Sequence, residues 1–331
     1  MSQSPGVKGR RILVTGGLGF IGSNLVCRCV ELGARVTIYD SLDGRAGGSF
    51  HNLTSVRDAV TVVIDDIRNR DAVAATMSGQ DVVFHCAGYT SHAGSMAFPF
   101  DDLDVNCKGT LNILEAARRS NPDVRLVQLG TSTQVGKMRS APVDENHPEF
   151  PLDVYSAHKS LAEKYFLIYG KAYGLATSVV RLSNVFGPRA HIRTNQFGFI
   201  NYFVGLALQD KDLTVFGDGR QVRNVIYVDD CVSALLLVAE RPEATGQVFF
   251  VTGDEQYSIK QIAEGIVEAM GRGRVRPVEW PSDKAAIEVG DAVISNQRIK
   301  EILGWRPRHT LVTGLVATRD YFRSCLDQYL G

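Results

Sequence analysis

An apolar strand pattern, Ile12-Leu13-Val14, runs straight into Thr15-Gly16-Gly17-Leu18-Gly19-Phe20-Ile21-Gly22, and a helical pattern begins at Ser23. Strand, glycine turn and helix start, in that order, make a cradle for phosphate. Gly16 permits the tight turn, Gly19 lets backbone approach a pyrophosphate, and Gly22 lets the helix pack closely on the strand while its N-terminal dipole faces the anion. Phe20 and Ile21 sit inside the same cradle. A second apolar run, Arg35-Val36-Thr37-Ile38-Tyr39, ends on Asp40, whose carboxylate can accept both hydroxyls of an adenosine ribose and would repel a 2′-phosphate. The two signals together point to NAD.

Strand and helix patterns then alternate, which argues for a doubly wound parallel α/β sheet. Strands are expected at 11–15, 35–39, 60–64, 81–86, 124–129 and 176–182, and helices at 20–32, 69–77, 101–119 and 153–173. From Asn184 to Gly219 the chain is richer in Gly, Phe and Asn and the alternation breaks, so a second lobe is expected to begin there. The resulting division is a polar, flexible leader at 1–10, a dinucleotide-binding domain at 11–183 to which 222–241 returns, and a smaller substrate lobe from 184–221 and 242–331.

Composition narrows the partners. The 36 lysines and arginines balance 36 aspartates and glutamates, so no global field attracts nucleic acid or an anionic membrane surface. No apolar stretch is long enough to span a bilayer, and the N-terminus lacks an apolar signal region, which suits a cytoplasmic protein. Cys27, Cys29, Cys86, Cys107, Cys231 and Cys325 show no paired metal-ligand spacing and read as reduced thiols in apolar segments, with no metal site expected.

Two strand ends extend the cofactor reading. Asp65-Asp66-Ile67 follows the third strand, where the Asp66 carboxylate and the amide of Ile67 can meet an adenine edge. His85-Cys86-Ala87-Gly88 ends the fourth, where Ala87 and its small neighbour let a dinucleotide lie across the sheet. His85 itself reads as a packing residue. Further on, Tyr155-Ser156-Ala157-His158-Lys159 opens a strong helical pattern, and residues at i and i+4 share a face, so Tyr155 and Lys159 point the same way. A phenol ordinarily titrates near about 10, and an adjacent ammonium favours its charged form, so the pair can act as a base. That spacing is common on amphipathic helices. It gains weight from the strand Arg125-Leu126-Val127-Gln128-Leu129, which delivers the hydroxyls of Gly130-Thr131-Ser132-Thr133 to the same sheet edge.

With these residues the sequence resembles the extended short-chain dehydrogenase/reductase family, and within it the NAD-dependent nucleotide-sugar epimerases and dehydratases typified by UDP-glucose 4-epimerase. The resemblance runs from TGGLGFIG through HCAG, GTST, YSAHK, RLSNVFGPR and FGDGRQVRNVIYVDD to LGWRP. It implies a Rossmann-type sheet with a smaller C-terminal α/β lobe. It makes Tyr155 the general base, Lys159 its partner and ribose holder, and Thr131 the third catalytic hydroxyl, and it places Asn106 near the cofactor. Asn184 would contact substrate phosphate, Arg223 the nucleotide diphosphate, and Val215 and Phe216 the nucleoside base. The expected substrate is a nucleotide-diphosphosugar, a UDP-sugar foremost, and the helices at 101–119 and 153–173 are expected to pair with their copies in a homodimer.

Departures from the family pattern shape the expected reaction. The 4,6-dehydratases carry Asp-Glu after the catalytic threonine, where this chain has Ser132-Thr133, which disfavours dehydration. Gln134-Val135-Gly136 replaces Val-Tyr-Gly, which is expected to remove an aromatic from the substrate side. Glu288 stands before Gly290-Asp291 where many epimerases have arginine, with Lys284 as its substitute. Epimerisation at C4 is therefore expected, with a 4-keto reductase, dehydratase or decarboxylase as alternatives, or a dinucleotide-binding regulator without turnover.

Overall fold

The computed structural model describes residues 6–280 and 290–330; residues 1–5 of the expected leader, and Lys284 and Glu288, lie outside the described residues. Seven strands form the main sheet: β1 (Arg11–Thr15), β2 (Arg35–Asp40), β3 (Val60–Ile64), β4 (Val82–His85), β5 (Arg125–Thr131), β6 (Ala176–Leu182) and β10 (Val248–Val251). Their order is β10-β6-β5-β4-β1-β2-β3, and every pairing is parallel. The order reverses between β1 and β4, which opens a crevice at their carboxyl ends.

Alternation along each strand feeds two cores. Ile12, Val14, Val82, Phe84 and Val127 face one side, against helices α1 (Phe20–Glu31) and α8 (Val228–Glu240). Leu13, Val83 and Leu126 face the other, against α2 (Arg70–Met77), α5 (Thr110–Ser120) and α6 (Val154–Tyr173). A strand covered on both faces must be apolar on both, hence these continuous apolar runs.

The expected helix at 101–119 is interrupted. The short helices α3 (His92–Ala97) and α4 (Pro99–Leu103) come first, Asp104–Gly109 takes wider π turns, and α5 follows. In the wide turns the Thr110 hydroxyl donates to the Asn106 carbonyl at 2.6 Å. Gly109 lets Ile67 in: a β-carbon there would stand 2.5 Å from Ile67 Cδ1.

The smaller lobe holds β7 (Asn184–Phe186), α7 (Phe199–Leu208), β8 (Asp212–Phe216), β9 (Val222–Tyr227), β11 (Gln256–Ser258), α9 (Ile259–Met270), β12 (Arg274–Val278) and the helix Leu311–Arg323. Its core joins Phe186, Phe203, Leu213, Ile262, Leu315 and Phe322.

The chain crosses between lobes more often than the expected boundaries allow. Within 222–241, β9 lies in the small sheet beside β7 and β11, whereas α8 packs on the main sheet. Within 242–331, β10 joins the main sheet and Ile299, Leu303 and Trp305 pack beneath it. At the start, Val7 is 2 % exposed and sits in the core, and Gly9 donates to the Gly33 carbonyl, so the expected leader is anchored to the main domain at Val7 and Gly9. No helix among the described residues is long and apolar enough to cross a membrane.

Candidate active site

The carboxyl ends of the central strands and the loops after them enclose a cleft of about 480 Å³, walled on its other side by residues 195–200 of the smaller lobe. It brings together Gly16, Gly19, Phe20, Ile21 and Gly22 of the first turn; Asp40, Asp66, Ile67 and Ala87 at strand ends; and Thr131, Tyr155, Lys159 and Asn184. Asn106, Val215, Phe216 and Arg223 do not line it.

The glycine turn fits a pyrophosphate for steric reasons visible here. Gly16 has φ +68°, and a β-carbon on it would stand 2.7 Å from the Ala87 amide nitrogen, closing the turn against β4. At Gly22 a β-carbon would stand 2.1 Å from the Gly16 carbonyl oxygen. Helix α1 has no side-chain cap and no acid in its first turn, so its leading amides are left for an anion. Asp40 is held ready: its carboxylate accepts from the amides of Leu18 at 3.0 Å and Leu42 at 2.9 Å. Burial pushes the Asp40 carboxyl up, and these two amide bonds oppose it. Asp66 is clamped by Arg68, whose Nε and terminal nitrogen reach it at 2.9 and 2.7 Å and hold its carboxyl below the usual range.

Tyr155 and Lys159 lie one turn apart on α6 and are 7 % and 9 % exposed. Burial dominates both. It pushes the phenol up, against a hydrogen bond with Thr131 that works the other way. It brings the Lys159 ammonium down to about 8. Burial therefore disfavours the charged form of both groups.

Around this pair runs a hydroxyl chain. Thr131 Oγ1 is 3.1 Å from Thr133 Oγ1, and Ser156 Oγ donates either to Thr133 Oγ1 at 2.8 Å or to Asp153 Oδ2 at 2.9 Å. Asp153 caps α6 by accepting the Ser156 amide at 2.8 Å, and its carboxylate also meets His92 Nδ1 at 2.8 Å. His92, Thr133, Asp153 and Ser156 were not singled out from sequence. The only local signal was the capping pattern at Asp153.

Other residues are held by hydrogen bonds or ring stacking. His85 is wedged between the hydroxyls of Thr15 at 2.9 Å and Thr110 at 3.0 Å, and burial brings its imidazole down to about 3. Asn106 is 2 % exposed and donates to the Tyr89 carbonyl and to Asp102. Asn184 donates to the Asn224 carbonyl at 3.0 Å. Arg223 donates to the carbonyls of Val222 and Gly290, tying β9 to the segment after 289, and Asp291 accepts the Val222 amide. Phe216 stacks at a tilt on Trp280, with centroids 5.3 Å apart.

The substitution at 134–136 does not alter the cleft as expected. Val135 is fully buried against Val143, Phe250 and Ile294, and Gln134 turns inward to donate to Glu163 at 2.9 Å. Glu163 in turn grips Arg181 through two bonds of 2.7 and 2.6 Å, and Glu149 accepts a third from the same guanidinium.

A parallel sheet with its switch point under a glycine cradle, an aspartate at the end of β2 and a Thr-Tyr-Lys set in one cleft define the architecture of a dinucleotide-dependent enzyme. Residues 12–252 match the NAD dependent epimerase/dehydratase family, and the chain belongs to that NAD-dependent family of enzymes. UDP-glucose 4-epimerase of Mycolicibacterium smegmatis is 31 % identical over 320 residues, 95 % of this chain and 99 % of that protein. The same organism's dTDP-glucose 4,6-dehydratase is 30 % identical over 320 residues, 95 % and 93 % of the two chains. The crystal structure of UDP-glucose 4-epimerase from Thermotoga maritima with UDP-glucose superposes with a TM-score of 0.85 at 29 % identity, covering 96 % of this chain and 99 % of that one.

Proposed function

We propose that this enzyme epimerises a nucleotide-diphosphosugar at C4, a UDP-sugar foremost, with NAD retained through turnover. The observation that carries the reading is the convergence of Thr131, Tyr155 and Lys159 with the glycine cradle and Asp40 in one cleft. NAD, when bound, would supply a group that accepts hydride and returns it. Gly16, Gly19, Phe20, Ile21 and Gly22 hold its pyrophosphate, Asp40 its adenosine ribose, and Asp66, Ile67 and Ala87 flank the adenine and the crossing. Asn106 acts from behind Gly88, whose missing side chain leaves room for the side-chain oxygen Oδ1 of Asn106: a β-carbon there would stand 2.6 Å from it.

Tyr155 takes the proton of the 4′-hydroxyl as hydride leaves C4, and Thr131 hydrogen-bonds the same oxygen. Lys159 steadies the phenolate and the ribose. The 4-keto sugar turns, hydride returns to its other face, and Tyr155 gives the proton back. Ser132-Thr133 in the place of an acid pair favours this outcome over 4,6-dehydration. Asn184 and Arg223 serve the diphosphate, and Val215 and Phe216 the nucleoside. Support for grouping them is the β7·β9 ladder: Asn184 pairs with Val225, two residues, or about 7 Å, along β9 from Arg223.

We also propose a homodimer through α4, α5 and α6, because Leu103, Leu161 and Ile168 stand exposed there at 37 %, 38 % and 55 %. Solution mass at micromolar concentration checks this. For the reaction, purified protein should carry NAD and should interconvert one of a panel of UDP-, dTDP-, GDP- and CDP-sugars without added cofactor. Tyr155→Phe should keep NAD and lose about 10²- to 10⁴-fold in turnover. Net consumption of cofactor, or a Tyr155→Phe variant of near-normal activity, refutes the reading.

A further inference from the structure

His92 opens α3 and shares the cleft wall with Tyr155; the two rings meet edge to face, with centroids 5.0 Å apart at 81°. Its Nδ1 lies 2.8 Å from Asp153 Oδ2, and Asp153 is itself fixed by the amide and hydroxyl of Ser156. A carboxylate can only accept, so the hydrogen between them belongs to Nδ1, and Nε2 is the ring nitrogen turned away from Asp153. The His92 side chain is 47 % exposed while Asp153 is 18 % exposed, so the orienting acid is tucked behind and the imidazole edge is open. This is the arrangement by which a buried carboxylate sets a histidine up as a base. The described 4-epimerase steps do not use it.

We infer that His92, oriented by Asp153, is a second acid–base group of this site, acting on a sugar C–H bond beside the carbon that loses hydride. The inference rests on the hydride-transfer reading above. Once that carbon is a carbonyl, a neighbouring C–H is acidified, because the electron pair left on carbon can spread onto the carbonyl oxygen, where Tyr155 and Thr131 stand. Nε2 takes the proton, and the pair becomes the C=C bond of an enolate. Returning the proton from the same nitrogen restores the C–H bond, and no other reactant is consumed. Ser132 and Thr133 cannot supply such a base, since a hydroxyl near neutral pH is not one, whereas a histidine with a free Nε2 is.

The test is solvent exchange. The enzyme is incubated in deuterium oxide with UDP-glucose, UDP-glucuronic acid, dTDP-glucose and CDP-glucose, and the recovered sugars are read by mass and NMR. Deuterium should enter the carbon next to C4, and His92→Gln should cut that entry at least ~100-fold while the transient absorbance of reduced NAD persists. No entry in wild-type enzyme that transiently reduces its NAD, or undiminished entry in His92→Gln, overturns the inference. Absence of reduced NAD with every sugar counts against the hydride-transfer reading, and the inference is then judged separately by modification with diethylpyrocarbonate. These nucleotide sugars should shield His92 where UDP alone does not. Equal modification in both cases overturns it.

Discussion

Replacing Lys159 by methionine should make the NAD-free protein more stable at neutral pH while crippling it as an enzyme. Lys159 is 9 % exposed, and burial brings its ammonium from the ordinary 10.5 down to about 8. That fall corresponds to about 3 kcal/mol spent keeping the charged form buried. The direction follows from proton counts. Between pH 8 and 10.5 the unfolded chain holds more protons at this lysine than the folded chain does, so wild-type stability gains from Lys159 as pH rises. Below pH 8 both states are protonated and the full penalty stands. Methionine fills a similar volume without charge, so Lys159→Met should gain up to about 3 kcal/mol at pH 7 and progressively less towards pH 10. Urea midpoints of both NAD-free proteins at pH 7 and pH 9.5 measure it, and the difference between the proteins cancels contributions they share, the raised phenol of Tyr155 among them. A variant less stable than wild type at pH 7, or an advantage that does not shrink with pH, refutes the reasoning.

Asp40→Ser should narrow the preference for NAD over NADP, measured as the ratio of their dissociation constants, because the charge that repels a 2′-phosphate is gone. An unchanged ratio refutes the ribose role. Glu163→Ala should cost about 3 kcal/mol in urea unfolding, because it leaves the buried Arg181, which is 2 % exposed, with one carboxylate partner, Glu149, in place of two, and pairing it with Arg181→Met should recover part of the loss. A cost below about 1 kcal/mol means water reaches the guanidinium. Arg223→Ala should weaken nucleotide-sugar or UDP binding by about 1.5–3 kcal/mol in calorimetry and leave NAD affinity alone. Damage to NAD binding with nucleotide-sugar binding spared places Arg223 on the wrong ligand.

What the sequence made legible is what short-range periodicity encodes. The turn at Gly16–Gly22, the strand end at Asp40 and the shared face of Tyr155 and Lys159 each depend on residues within a few positions of one another, and the cleft contains all of them. The π turns at Asp104–Gly109 escaped notice because their apolar spacing passes for an ordinary helix, and the cause is tertiary: Ile67 enters beside Gly109 from 42 positions away. The strand Val248–Val251 falls in a stretch, 242–331, expected to belong wholly to the other lobe. Its neighbour, β6, is fixed by topology and not by local pattern, although a run as fully apolar as Val-Phe-Phe-Val is what a doubly covered parallel strand requires.

The same distinction separates the two acid–base features of the cleft. Tyr155 and Lys159 share a helix, so one periodicity reveals both, whereas His92 and Asp153 are 61 residues apart and meet only because α3 and the start of α6 converge at the sheet edge. Gln134 shows the converse. Read along the chain, the segment 134–136 lacks an aromatic expected on the substrate side, yet Val135 packs into the interior and the Gln134 amide belongs to Glu163, 29 residues on. A departure from a family pattern therefore carries no fixed meaning for substrate until the side chain's partner is known. By that standard the change at 134 belongs to the buried Glu163–Arg181 pair.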